Sequence, residues 1–98
     1  MAIVVVARWK GEFQKGLPLA KEVASLLKKH GALSVRAGNC HSGPHAGDIY
    51  TAVTFADWES FATGQTAMTS APEIVKIYAE ATTVLQLQER SVLVVEDL

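Results

Sequence analysis

Apolar residues crowd the N-terminus of the chain as Ala2-Ile3-Val4-Val5-Val6-Ala7, and the run closes on Arg8-Trp9. β-Branched residues at both alternating positions predict a central strand covered on both sides. A polar stretch through Gly11 and Gly16 follows. Then Leu19, Ala20, Val23, Ala24, Leu26 and Leu27 fall on one helical stripe, with Lys21, Glu22, Ser25, Lys28 and Lys29 opposite. Pro18 fits a first turn, Lys28-Lys29-His30 a basic last turn, and Gly31 a left-handed cap, so the helix is expected to open near Pro18 and close before Gly31.

Leu33 to Asn39 reads as a short strand, and Cys40 to Gly47, with two Gly and one Pro, as a turn. From Asp48 to Phe55 the alternation is clean: Ile49, Thr51, Val53 and Phe55 share one face, Tyr50, Ala52 and Thr54 the other. A hairpin is predicted. Asp57 is placed to cap a helix whose positions Trp58, Phe61, Ala62, Gln65 and Met68 recur in steps of three and four, with Gly64 weakening its middle. Ser70-Ala71-Pro72-Glu73 has the spacing of a capping box and marks a fresh helical start, with Ile74, Ile77, Tyr78 and Ala81 as its buried stripe. Thr83 to Val95 is a long final strand, bent near Arg90 and Ser91, with Gln86, Gln88 and Arg90 on one face.

The order β-α-β-β-α-β, its second helix in two pieces, predicts an α+β ferredoxin-like domain: a four-stranded antiparallel sheet with both helices on one face. The other face then lacks a cover. Leu93, Val94 and Val95 extend the tail with more apolar surface than a monomer of this size would leave wet. A second copy packing sheet to sheet would cover it, so a homodimer is the expected partner arrangement.

Composition narrows the class. The 98 residues allow one domain, 1 to 98, and 49% apolar content suffices for a packed core. A net charge of -1, without a basic stripe, argues against nucleic acid as a partner. The apolar run Ala2 to Ala7 is far short of the roughly 20 residues of a membrane span and too short for a secretory leader. No membrane association is expected. The single Cys40 excludes an internal disulfide and fits a reducing cytoplasm.

Three segments carry a resemblance: Ala32-Leu33-Ser34-Val35-Arg36; the run from Gly47-Asp48-Ile49-Tyr50 through Phe55-Ala56-Asp57-Trp58-Glu59-Ser60-Phe61; and Ser70-Ala71-Pro72-Glu73. Together they resemble the dimeric α+β barrel superfamily, nearest its small cofactor-free antibiotic-biosynthesis monooxygenase-like and NIPSNAP-like branches. The resemblance implies pairing of two sheets into a dimeric α+β barrel and no cofactor. It is specific for fold rather than activity, because the superfamily spans oxygenases, isomerases, haem degraders, dehalogenating enzymes and proteins of no known reaction.

Strand parity supplies the candidate site. If Ile49, Val53, Phe55, Leu85 and Leu87 cover the helices, Arg8, Arg36, Tyr50, Thr54, Gln86 and Gln88 point to the opposite side, the barrel lumen of a dimer. Polar groups converging there need partners, and two guanidiniums suit a small aromatic or anionic ligand such as a carboxylate, phenolate or enolate. The alternative is structural, with Arg8 and Arg36 pairing to Glu89, Glu96 or the partner subunit and setting dimer register. Cys40, His41 and His45 have metal-ligand chemistry, but they supply only three ligands from one flexible turn; no metal is expected. Adjacent Cys40 and His41 diverge on extended backbone, so no catalytic pair is assigned. His30 is expected to act at the helix end. Trp9, Trp58, Phe61 and Tyr78 are expected in the core, with a hydrophobic ligand mouth as the alternative. Haem-degrading relatives use a His on the second helix, and residues 57 to 82 contain none. No P-loop, dinucleotide fingerprint or nucleophile elbow is present. Two functions remain: a small-molecule binding protein, or a cofactor-independent monooxygenase or isomerase-type enzyme acting on a small aromatic or polyketide-like substrate in the lumen.

Overall fold

In a computed structural model that describes all 98 residues, β1 (Ala2–Gly11) alternates buried Ile3, Val5 and Ala7 with half-buried Val4, Val6 and Arg8. One face lies under the helices. The chain continues through α1 (Phe13–Lys29), β2 (Ala32–Asn39), β3 (Ile49–Phe55), α2 (Trp58–Ser70), α3 (Pro72–Ala81) and β4 (Leu85–Val95). The sheet is antiparallel throughout in the order β2-β3-β1-β4. This is the expected β-α-β-β-α-β order with a broken second helix. Ile3, Phe55 and Ile74 are sealed from solvent and join Val5, Leu27, Ala32 and Ala67 in the core between sheet and helices.

α1 starts five residues earlier than expected. Pro18 lies inside it, and Gly16 is buried in its first turns, where an added Cβ would meet the Leu85 side chain at 2.7 Å. The early turn thus packs on the start of β4. Gly31, at φ 105°, supplies the left-handed cap after α1. His30 is the C-cap residue, and its Nε2 lies 3.8 Å from Glu73 Oε1.

Asp57 caps α2 as expected, its Oδ1 accepting the Ser60 N–H at 2.8 Å. That backbone hydrogen bond holds the Asp57 carboxyl below its ordinary range. The capping box at Ser70 does not form. Ser70 ends α2 and its hydroxyl donates to the Thr66 carbonyl at 2.6 Å, so Ala71 takes the N-cap position of α3 without a side-chain hydrogen bond. The fresh start comes from Pro72, pre-set for a first helical position.

The bend in β4 is a bulge. Its register with β1 runs Ala7↔Arg90 and Arg8↔Glu89, then Trp9↔Leu87, leaving Gln88 as the extra residue. Parity reverses across it. Leu85 and Leu87 face the helices, and beyond Gln88 so do Arg90, Val92 and Val94. Arg90 therefore does not share a face with Gln86, contrary to the uninterrupted alternation expected from the sequence.

Candidate functional site

Between the helices and the sheet lies a cavity of about 340 Å³. Its floor is built by alternation along β1 and β3, which delivers Val5, Ala7 and Trp9 beside Thr51, Val53 and Phe55. Ala20, Val23 and Leu27 of α1, Met68 of α2, and Tyr78 and Ala81 of α3 close it from above. Of 18 lining residues 14 are hydrophobic, so a guest must be largely apolar.

One row of the floor carries Thr51 and Arg90, and Gln65 and Thr69 of α2 are the other polar lining residues. Ala7 pairs with Thr51 on one side and with Arg90 on the other. At a strand spacing of about 4.8 Å, Thr51 and Arg90 stand roughly 10 Å apart across a methyl side chain. Arg90 Nη2 donates to Gln65 Oε1 at 2.6 Å, tying β4 to α2. Trp9 Nε1 donates to Thr51 Oγ1 at 3.0 Å, and the Trp9 ring meets Tyr78 edge to face at 6.3 Å between centroids. Burial pushes the Tyr78 phenol above its ordinary pKa, while the nearby Arg90 charge pulls the other way; the phenol stays protonated at neutral pH and can donate. The lining contains no Asp, Glu, His, Cys or Lys.

The six residues expected to bind ligand do lie on the face away from the helices, and none lines this cavity. Arg8 sits opposite Tyr50, with Arg36 diagonal to Tyr50 across β2 and β3. Thr54 pairs with Val4, four residues along β1 from Arg8, or about 13 Å. Gln86 pairs with Lys10, and Gln88 is the bulge residue, its Nε2 donating to the Gln86 carbonyl.

Arg8 is committed to partners within the chain. Its Nη1 donates to Asp48 Oδ2 at 2.8 Å, Lys10 Nζ reaches Asp48 Oδ1 at 3.1 Å, and Glu89 Oε1 lies 3.6 Å from Arg8 Nε. The hydrogen bonds from Arg8, then Lys10, hold the Asp48 carboxyl below the usual range, and the bond to Asp48 raises Arg8 in return. This is the pairing to Glu89 weighed from sequence, with Asp48 as the nearer anion. Arg36 is exposed. In the Cys40 to Gly47 turn, His41 and His45 are exposed and Cys40 Sγ contacts the Ser42 carbonyl at 3.2 Å. No three His, Cys, Asp or Glu side chains gather there or elsewhere in the chain.

Of the aromatics, Trp9 and Tyr78 line the cavity. Phe61 packs on the core and Trp58 is half exposed, edge to face with Phe61. The residues missed from sequence are Arg90, Thr51 and Gln65. The sequence carries no signal for Arg90: Leu85 and Leu87 set an odd apolar parity, but Val92 to Val95 are apolar at both parities, and only the register with β1 reveals the inserted residue.

A four-stranded antiparallel sheet with its helices on one face is the ferredoxin-like α+β fold. Solved structures share it over nearly the whole chain. SnoaB of Streptomyces nogalater, a cofactor-independent oxygenase, superposes with a TM-score of 0.76 at 9% identity, over 99% of this chain and 95% of its own. A NIPSNAP family protein of Agrobacterium tumefaciens gives 0.72 at 12% identity, over 99% and 95%. A candidate antibiotic biosynthesis monooxygenase of Chloroflexus aurantiacus gives 0.71 at 17%, again over 99% and 95%. The likeness establishes the fold, in agreement with the sequence resemblance to dimeric α+β barrels. No family model matches the chain, and no curated protein does.

Proposed function

We propose that the chain is a small-molecule binding protein whose site is the cavity under the helices, taking a bicyclic or similarly compact apolar ligand with an anionic group at Arg90. The carrying observation is the apolar 340 Å³ space with a single cation at its edge, held in place by Gln65. A cofactor-independent oxygenase or isomerase activity on an aromatic substrate is the alternative, and the likeness to SnoaB supports it. Binding is favoured because the lining offers no carboxylate, imidazole, thiol or amine to take a proton. The test is an NMR titration with 1-indancarboxylate. Shift changes should map to the cavity lining, Arg90→Gln should weaken binding about tenfold, and Ala7→Leu, which fills the floor, should abolish it. Shifts confined to other surfaces would overturn the proposal.

The open sheet face supports a second role, self-association. Leu93 and Val95 are 46% and 39% exposed. Strand register sets them beside half-buried Val4 and Ala2 to form one apolar patch. A second copy of the same face would cover it. Arg8, Tyr50 and Arg36 then border the interface, and a ligand role for the six residues of this face would require that second copy.

A further inference from the structure

We propose that the Thr51 hydroxyl, aimed by the Trp9 indole, is the specificity-determining donor of the cavity and selects ligands that present an acceptor oxygen, such as a ketone or enolate, to the β3 side of the floor. The inference rests on the binding role assigned to the cavity and adds the chemistry of its second polar anchor.

A threonine hydroxyl has one proton and two lone pairs. Thr51 Oγ1 takes part in one hydrogen bond, as acceptor of the Trp9 N–H. Trp9 is itself packed edge to face against Tyr78. The indole therefore occupies one lone-pair direction and turns the Thr51 proton away from itself, while accepting that N–H strengthens the O–H as a donor.

The Thr51 hydroxyl donates no hydrogen bond within the chain. Val5, Ala7 and Val53 flank it on the floor, and the Gln65 carbonyl oxygen is occupied by Arg90. A guest bringing an acceptor gives the proton its partner. A guest bringing only donors can use the remaining lone pair but leaves that proton unpaired, as an apolar guest does, and an ammonium is also repelled by Arg90. Tyr78 and Arg90 are donors as well, so the polar inventory of the cavity is biased in one direction. Trp9 is a positioning residue here, since its effect on a ligand passes through Thr51.

The experiment compares indane, 1-indanone and 1-aminoindane, equal in skeleton and different in one polar group, by NMR titration of the full chain. Wild-type protein should bind 1-indanone about tenfold more tightly than indane, the worth of one added hydrogen bond, and 1-aminoindane more weakly than indane. Thr51→Val, nearly equal in shape, should reduce the preference for 1-indanone over indane, read as a ratio within the variant, to about one. Thr51→Ser should keep it. Trp9→Phe should shrink it while indane still binds, a change in ratio that a merely structural role for Trp9 would not produce. Equal affinities of wild type for indane and 1-indanone, or a preference that survives Thr51→Val, overturn the Thr51 assignment and leave the binding role standing. Failure of all three probes to bind overturns both.

Discussion

Gly64→Ala probes core and cavity together. Gly64 is buried in α2, and a Cβ there would fall 2.5 and 2.7 Å from two ring carbons of Phe55, which is 1% exposed and packs edge to face on Phe61. The ring must move. Overpacking of this kind costs roughly 1 to 3 kcal/mol, while replacing Gly by Ala in mid-helix returns about 1 kcal/mol. The balance lies at roughly 0 to 2 kcal/mol of lost stability. Phe55 also lines the cavity, so its ring has an unfilled direction in which to retreat. That places the expected loss at about 1 kcal/mol or less, or a fall in Tm of no more than about 4 to 8 °C. Indane affinity should drop at the same time, because the displaced ring takes up ligand space. Urea and thermal unfolding followed by circular dichroism measure the first effect, and NMR titration the second. A loss above about 3 kcal/mol would mean that the ring has nowhere to go and refute the cavity. A gain of about 1 kcal/mol would mean that the ring does not rest on Gly64.

Two further outcomes follow from the sheet. Deleting Gln88 should leave a regular ladder in which Arg90, Val92 and Val94 still oppose Ala7, Val5 and Ile3, so the variant should fold and keep its ligand affinity, whereas deleting Gln86 turns Leu85, 8% exposed, out of the core and should cost more than about 2 kcal/mol in urea unfolding. Equal damage from the two deletions would contradict the bulge. Light scattering should give the wild-type chain twice its 10.5 kDa at micromolar concentration, and Leu93→Lys should return it to the monomer mass with its helical signal intact; a wild-type monomer defeats the second copy.

Features encoded locally could be read from the chain. The stripe from Leu19 to Leu27, the alternation of Ile49, Thr51, Val53 and Phe55, and the cap at Asp57 each need only neighbours a few residues away, and each stands as expected. Where a residue had two local options, spacing alone did not decide between them. Ser70 could face forward to the start of α3 or back to Thr66, and the carbonyl already placed one turn behind it in α2 won. Pro18 fits a first turn, yet the turn before it packs through Gly16 on Leu85, a residue 69 positions further along that no local pattern reports.

The candidate site was harder to read because a hydrophobic pattern marks which positions are covered and not how well the space beneath them is filled. Ala7, Ala20 and Ala81 count as core positions on the same footing as valine or leucine, but their short side chains are what leave the floor and roof of the cavity apart. The polar anchor was hidden differently. Val92-Leu93-Val94-Val95 is apolar at every position, since one face lies on the helix side and the other on the open face, so the final strand gives no alternation against which a one-residue slip would stand out. An unbroken parity from Gln86 then carries Arg90 to the open face. With Gln88 inserted it stands over the cavity, opposite Ala7 and in line with Thr51. The side of the sheet on which Arg90 stands thus turns on a single inserted residue.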